Sequence, residues 1–358
     1  MAIKYLSGKR LQGTAAERTA LNLAAPPATS WKELARGTLS SAADTINSGT
    51  FTAKDNIMIL QHNINSSSVR TGLRLNADTG NNYAHRRSVN GAADATNVNH
   101  NRIVADTDVD GSDFTVSEFN NVSAQEKLGI LNRVHQSGSG AGNAPDREEM
   151  VGKWTNTSSQ ITSVQSYNAE TGDFDTGSEI VVLGYDNDEA DTGSNFWQEL
   201  ASVTLGSSNA EISSGTITAK KYLWVQIDQK GVSNNVGNIS VRFNNDTGTN
   251  YASRYSVNGG SDNSSQTSKT SIYMHDDAGD DTKGSLHNIF IINKADKEKL
   301  IISETIQNTA TGAGTAPARS EEVGKWANTS NQITEIDIFG LNGGSFDTGS
   351  SIKVWGAN

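Results

Sequence analysis

The chain has no cysteine among its 358 residues. That excludes disulfides, a thiol nucleophile and cysteine-ligated zinc. Proline is almost as scarce, 4 residues against 34 glycines, which favours tight turns over proline-rich linkers. No apolar run approaches the roughly 18 residues of a membrane-spanning helix. The opening, MAIKYLSGKRLQG, lacks the apolar stretch of a secretory signal. Basic residues are also short: 29 Lys and Arg against 40 Asp and Glu give a net charge of −11, a poor match to nucleic acid. Charged residues as a whole make up only 19% and hydrophobic residues 34%.

Gly, Ser, Thr and Asn fill the gap, and these residues supply turn geometry. The chain also repeats itself. SWKELARGTLSSAADTINSGTFTAKDNIMIL, from Ser30 to Leu60, returns as FWQELASVTLGSSNAEISSGTITAKKYLWVQ, from Phe196 to Gln226. NADTGNNYAHRRSVNG (Asn76 to Gly91) matches NNDTGTNYASRYSVNG (Asn244 to Gly259) at 12 of 16 positions. GNAPDREEMVGKWTNTSSQIT (Gly142 to Thr162) matches GTAPARSEEVGKWANTSNQIT (Gly314 to Thr334) at 15 of 21. The offset drifts from 166 through 168 to 172, so one unit of roughly 155 residues is duplicated with few insertions, unlike the 20–50-residue repeats of a solenoid. The division expected is an arm over 1–29, a first copy over 30–184, an acidic linker over 185–195 and a second copy over 196–358.

Within each copy the apolar period is mostly two. Seven to nine short strands are expected per copy, among them IMILQHNI, FTVSEF, KLGILNRVHQ and EIVVLG in the first and YLWVQI, NIFIIN and KLIISETI in the second. The fold class that follows is all-β: two tandem antiparallel β-sandwich domains of jelly-roll-like type behind an extended N-terminal arm. The arm is basic, with Lys4, Lys9, Arg10 and Arg18. It reads either as a plain terminus or as a peptide that docks on an acidic partner.

FDTGS at Phe174 and again at Phe346 matches the signature of pepsin-like aspartic proteases, in which two acids share a proton. But Asp-Thr-Gly occurs five times, at Asp78, Asp175, Asp191, Asp246 and Asp347, and only eleven residues follow Asp347. The tripeptide therefore reads as a turn that feeds the closing strand of each copy, with Gly taking the left-handed conformation. DTDVDGSDF, from Asp106, carries Asp106, Asp108 and Asp110 with the spacing of the first half of a calcium loop. Ser117 stands where such a loop has its glutamate. Two readings stay open there, a partial Ca²⁺ loop and a solvated acidic loop. The six histidines show no ligand spacing, and none recurs in both copies. No catalytic residue and no other cofactor is expected.

The residues both copies keep are Tyr83/Tyr251, Arg86/Arg254, Arg147/Arg319 and Trp154/Trp326, with Asn90/Asn258, Glu149/Glu321 and Lys153/Lys325. They fit a scaffold role, Arg forks holding loops and Trp filling the sandwich. They also fit an inter-domain or inter-subunit contact, where Arg, Tyr and Trp are preferred anchors. The Asn- and Tyr-rich loop NYASRYSVNGG leaves a glycan site open as a third use.

The opening MAIKYLSGKRLQGTAAERTAL, followed by TSWKEL, DTGTNYASRYSVNGG and GAGTAPARSEEVGKWANTSNQIT, resembles virion structural proteins of marine tailed bacteriophages. The resemblance implies a short N-terminal peptide that seats the subunit on a capsid or tail, with jelly rolls projecting outward. The expectation is a non-enzymatic capsid decoration or head/tail appendage subunit. It would be made in the host cytoplasm, would sit at the virion surface, and would self-associate as a homotrimer alongside capsid or tail proteins, without nucleic acid or membrane. The alternative is a receptor- or glycan-binding module at a virion surface or tail tip.

Overall fold

The computed structural model describes residues 31–358 except 106–108, 188–194, 231–238, 275–283, 309–311 and 342. Every regular element among them is a strand. The first twelve are β1 (Lys32–Thr38), β2 (Thr45–Thr50), β3 (Asn56–Val69), β4 (Thr71–Leu75), β5 (Tyr83–Val89) and β6 (Ala95–His100), followed by β7 (Ile103–Val104), β8 (Val109–Asn120), β9 (Lys127–His135), β10 (Asp146–Trp154), β11 (Ser163–Asn168) and β12 (Glu179–Tyr185). The next twelve repeat them: β13 (Gln198–Thr204), β14 (Glu211–Ser213), β15 (Tyr222–Gln229), β16 (Ile239–Phe243), β17 (Tyr251–Val257) and β18 (Asn263–Lys269), then β19 (Ile272–Tyr273), β20 (Ser285–Ile292), β21 (Lys299–Gln307), β22 (Ala318–Trp326), β23 (Ile336–Gly340) and β24 (Ser351–Ala357).

Each dozen forms an eight-stranded and a four-stranded antiparallel sheet. The first pair runs β1-β12-β3-β8-β9-β10-β5-β6 and β2-β11-β4-β7. The second runs β13-β24-β15-β20-β21-β22-β17-β18 and β14-β23-β16-β19, the same order strand for strand. The chain is thus all-β, two sandwich-like pairs of sheets, as its periodicity implies. The strands the period-two reading passes over are edge strands and polar ones. β6, ATNVNH, is mostly exposed, and β5 and β17 lie in the Asn- and Tyr-rich stretches that read as loops.

Apolar side chains sort into three clusters. Ile57, Ile59, Leu75, Val164, Ile180 and Val182 belong to the core of the first sandwich. Leu223, Val225, Ile239, Ile289, Ile338 and Val354 belong to that of the second. The third cluster joins Met58, Leu60, Phe114, Val134, Val181 and Leu183 to Tyr222, Phe290, Leu300, Ile302 and Val323. It lies between the two large sheets. Alternate residues of a strand point to opposite faces, so β12 sends Ile180 and Val182 into its own sandwich and Val181 and Leu183 into the seam. Burial on both faces explains the unbroken apolar run IVVL.

The Asp-Thr-Gly repeats divide into two kinds. Asp175 and Asp347 each accept a backbone bond from the Ser three residues on, at 3.1 Å, and Gly177 and Gly349 take φ of 86° and 91°. These are the turns before β12 and β24, where the chain crosses from the small sheet to the large one. Asp78 and Asp246 do more: each accepts from the Gly N–H two residues on at 2.8 Å and from the Trp154 or Trp326 indole N–H at 2.7 Å. Asp191 lies outside the described residues.

Candidate functional site

The structure separates the residues that both copies keep. The Tyr83 hydroxyl accepts from Leu75 N at 2.9 Å and donates to Leu75 O at 3.1 Å, and the Tyr251 hydroxyl clamps Phe243 in the same way at 3.1 and 3.2 Å. Both rings are buried and stack on Trp154 and Trp326. Burial pushes both phenols up, Asp78 and Asp246 adding to the rise. These four aromatics are scaffold, and buried tyrosine faces are not open to stack on a sugar. Asn90 and Asn258 act alike, each accepting from the backbone N–H of Arg147 or Arg319, at 2.9 and 3.0 Å.

The four arginines divide differently. Arg147 crosses the seam to Asp262, with Nη2 at 2.6 Å from Oδ1. It also pairs with Glu149. Arg254 crosses the other way, donating to Pro145 O at 2.8 Å and to Asp146 Oδ1 at 3.2 Å. Their counterparts Arg319 and Arg86 stay exposed and pair within their own sandwiches, with Glu321 and Asp94.

Polar contacts surround the apolar seam. Asn132 Nδ2 donates to Glu304 Oε1 at 2.8 Å, and Gly140 N donates to Glu298 Oε1 at 2.6 Å. Lys325, fully buried, donates to Gln136 O at 3.0 Å and Gly138 O at 2.7 Å. At the opposite end the Glu179 carboxylate receives Arg36, Lys221 and the Tyr222 hydroxyl within 2.8 Å. Burial works to raise the Glu179 pKa, but Lys221, Tyr222 and Thr38 outweigh it and hold it below the ordinary value. Burial likewise opposes ionisation of Asp146, while bonds from His135, Asn90, Ser137 and Arg254 bring it down to about 2. The seam is therefore an ion-paired rim around an apolar centre, the anatomy of a protein–protein interface. Each fully buried Leu, Ile, Val or Phe at its centre contributes about 1.5–3 kcal/mol relative to exposure.

Among the described residues only part of each large sheet is covered. On the first sandwich a recess of about 820 Å³ remains open, lined by Trp31, Val98, Leu128, Ile130, Val151 and Lys153 among others. On the second an open recess of about 680 Å³ is lined by Leu286, Ile306, Ala313 and Pro317 among others. One signal for the seam could be found in sequence: the consecutive apolar residues Ile180 to Leu183 place side chains on both faces of β12, which marks it as covered on both sides.

Of the proposed calcium loop, Asp106 and Asp108 lie outside the described residues, and Asp110 falls within β8. Among the described residues no group of three or more His, Asp or Glu stands close enough to hold a metal. Lys4, Lys9, Arg10 and Arg18 of the arm also lie outside the described residues.

No protein-family model and no curated protein matches the chain. Among solved structures, domains LG4-5 of the mouse laminin alpha1 chain align over 92% of this chain and 91% of that one, at 10% identity and a TM-score of 0.21. A tail fiber protein from an E. coli phage aligns over 92% of this chain and 40% of its own, at 8% identity and a TM-score of 0.18. At these scores the chain is a β-sandwich protein with a weak likeness to both, and neither likeness carries an argument about its role.

Proposed function

We propose that the chain is a non-enzymatic structural subunit of a tailed-phage virion, a capsid decoration or head/tail appendage protein seated by its basic N-terminal arm. The observation that carries this reading is how the residues shared by the two copies are used. Tyr83/Tyr251, Asp78/Asp246, Trp154/Trp326 and Asn90/Asn258 hold backbone, while Arg147 and Arg254 hold one sandwich to the other. A chain whose repeated chemistry goes into building a block is suited to be a building block. The net charge of −11 keeps densely arrayed copies from sticking indiscriminately. Two like sandwiches per chain let three chains imitate sixfold symmetry, so a homotrimer is the assembly expected.

The arm is the part that tests this. Deleting residues 1–28 should abolish incorporation into particles while the sandwiches keep the melting temperature of the full chain. Unchanged particle occupancy by the shortened chain would sink the reading.

A further inference from the structure

The outer face of the first large sheet has a twin in the second sandwich, and only the twin is covered. Trp31, Leu128, Ile130, Val151 and Tyr185 line the recess of about 820 Å³. In register, Leu300, Ile302 and Val323 stand for Leu128, Ile130 and Val151, while Trp197 and Ala357 stand for Trp31 and Tyr185. Every one of these twins is at most 5% exposed and lies in the cluster between the sandwiches. Leu128, Ile130 and Val151 are instead 56, 60 and 50% exposed, and Val98, on the same recess, is 70% exposed. What covers the face in the second copy is the part of the chain that precedes it, the first sandwich. What precedes the first sandwich is the arm.

The arm joins the described chain at the recess itself. The Trp31 ring packs edge-on against Tyr185 with centroids 4.7 Å apart, and the Trp31 carbonyl accepts from Phe196 N at 2.7 Å, so the junction is fixed at one end of the groove. From there the recess is lined by residues of β12, β3, β8, β9, β10, β5 and β6, seven neighbours in the sheet. Six strand spacings make about 29 Å, which an extended chain covers in about nine residues. The composition of the arm changes to match. Its charged residues, Lys4, Lys9, Arg10, Glu17 and Arg18, all fall within 1–18. The twelve residues 19–30, TALNLAAPPATS, carry no charge and hold Leu21, Leu23, four alanines, Pro26 and Pro27. The two prolines lack the N–H needed to join a sheet edge, whereas proline-bearing segments lie extended in grooves with aromatic walls.

We propose that residues 19–30 of the same chain fill this recess, running from Trp31 across the sheet to β6. At that spacing Pro26 and Pro27 lie over Leu128 and Ile130, Leu23 lies over Val151, and Leu21 reaches Val98. The occupant is one extended peptide, so it needs no more room than the recess leaves open beside the second sandwich. The charged half, 1–18, leaves the sandwich beyond β6 and stays available to a partner. Filling of the recess is a property of the purified chain, so it can fail while arm-dependent incorporation into particles stands, and the reverse. The contact is local and opens below the temperature at which the sandwiches melt, so the melting temperature expected of the chain lacking residues 1–28 is unaffected.

Hydrogen exchange of the full purified chain should show the amides of residues 20–25 protected about tenfold or more over an unstructured peptide. Ile130→Glu together with Val151→Glu puts two carboxylates into the apolar floor and should remove that protection. Both positions are exposed, so the melting temperature should stay at wild type and confirm folding. The chain has no cysteine, so a single engineered pair can be read cleanly. Leu23→Cys with Val151→Cys should form a disulfide within one chain under mild oxidation. Leu23→Cys with Leu341→Cys, exposed beside β23 of the second sandwich, should not. Residues 20–25 exchanging like a free peptide overturn the proposal. So does protection that survives the double glutamate variant, or a disulfide that forms only between chains.

Discussion

The two sandwiches share a strand order but not an interior. In the first, Arg133 is buried between Asp113 and Glu148, with Nη2 at 3.3 Å and Nη1 at 3.0 Å from their carboxylates. Asn63 supports Asp113 from 3.0 Å. In the second, the three positions are Thr305, Ser285 and Ser320, and the His287 ring lies 2.9 Å from Thr305 and 2.8 Å from Ser285. One copy of the fold encloses an ionic triad and the other encloses hydroxyls around an imidazole. The fold thus has no need of buried charge at this place, which agrees with the general finding that well-packed neutral groups can replace a buried ion pair.

The most damaging way to break this comparison is half a replacement. Arg133→Met takes the Arg133 charge away from two buried carboxylates and should cost about 3–5 kcal/mol of stability, read by calorimetry or urea unfolding. The fourfold change Asp113→Ser, Thr115→His, Arg133→Thr and Glu148→Ser imports the second sandwich's groups, the imidazole included, and should cost far less than the single one. If the fourfold variant is as unstable as Arg133→Met, the two interiors are not interchangeable solutions.

Glu322 sharpens the contrast from the other side. It is fully buried at the position where the first sandwich has Met150, and neither carboxylate oxygen has a partner among the described residues. Burial, with Glu321 adding to it, holds its pKa well above the ordinary 4.5. The folded chain keeps this proton at pH values where the unfolded chain has released it, so folding is opposed increasingly as pH rises above 4.5. Glu322→Met should therefore stabilise by roughly 1–3 kcal/mol at pH 7, with the gain fading as pH falls to about 4. Thermal melts across that range check it, and a gain that does not depend on pH would show that the carboxyl is not held neutral.

Where the copies agree, equal losses are expected. Asp78→Ala and Asp246→Ala each remove an acceptor 2.7 Å from a buried indole N–H and open the turn at Gly80 or Gly248. Each should cost about 1–2 kcal/mol, since water reaches these carboxylates and replaces part of what is lost. Unequal costs, measured by the same melts, would mean the shared motif no longer does the same work in both sandwiches.

The features carried by local chemistry were the readable ones. The duplication, the apolar strands and the turn character of Asp-Thr-Gly all follow from residue identity within a short window. β5 and β17 did not, because NYAHRRSV and NYASRYSV are polar and owe their strand form to pairing with β10 and β22. The seam was less readable still. Arg147 and Arg319 hold the same place in the repeat, yet one is buried in an ion pair and the other is exposed. What separates them is which sandwich docks on which, and that is a property of three-dimensional packing that no repeat encodes. The residues shared by the two copies were therefore visible as pairs, but not divisible into scaffold, seam contact and exposed twin.

Asp94 and Asp262 give the smallest and most telling test of that division. They are twins at an offset of 168, and the same substitution should act on them differently. Asp262→Ala strips Arg147 of a partner inside the seam and belongs among the costly changes. Asp94→Ala removes one side of an exposed pair with Arg86 at 3.3 Å, and exposed pairs contribute about 0–1 kcal/mol. Melting of the dilute chain should therefore hardly move. Were Asp94→Ala to cost as much as Asp262→Ala, the exposed twin would carry a load that its pair with Arg86 does not account for, and position in the seam would not be what divides the two.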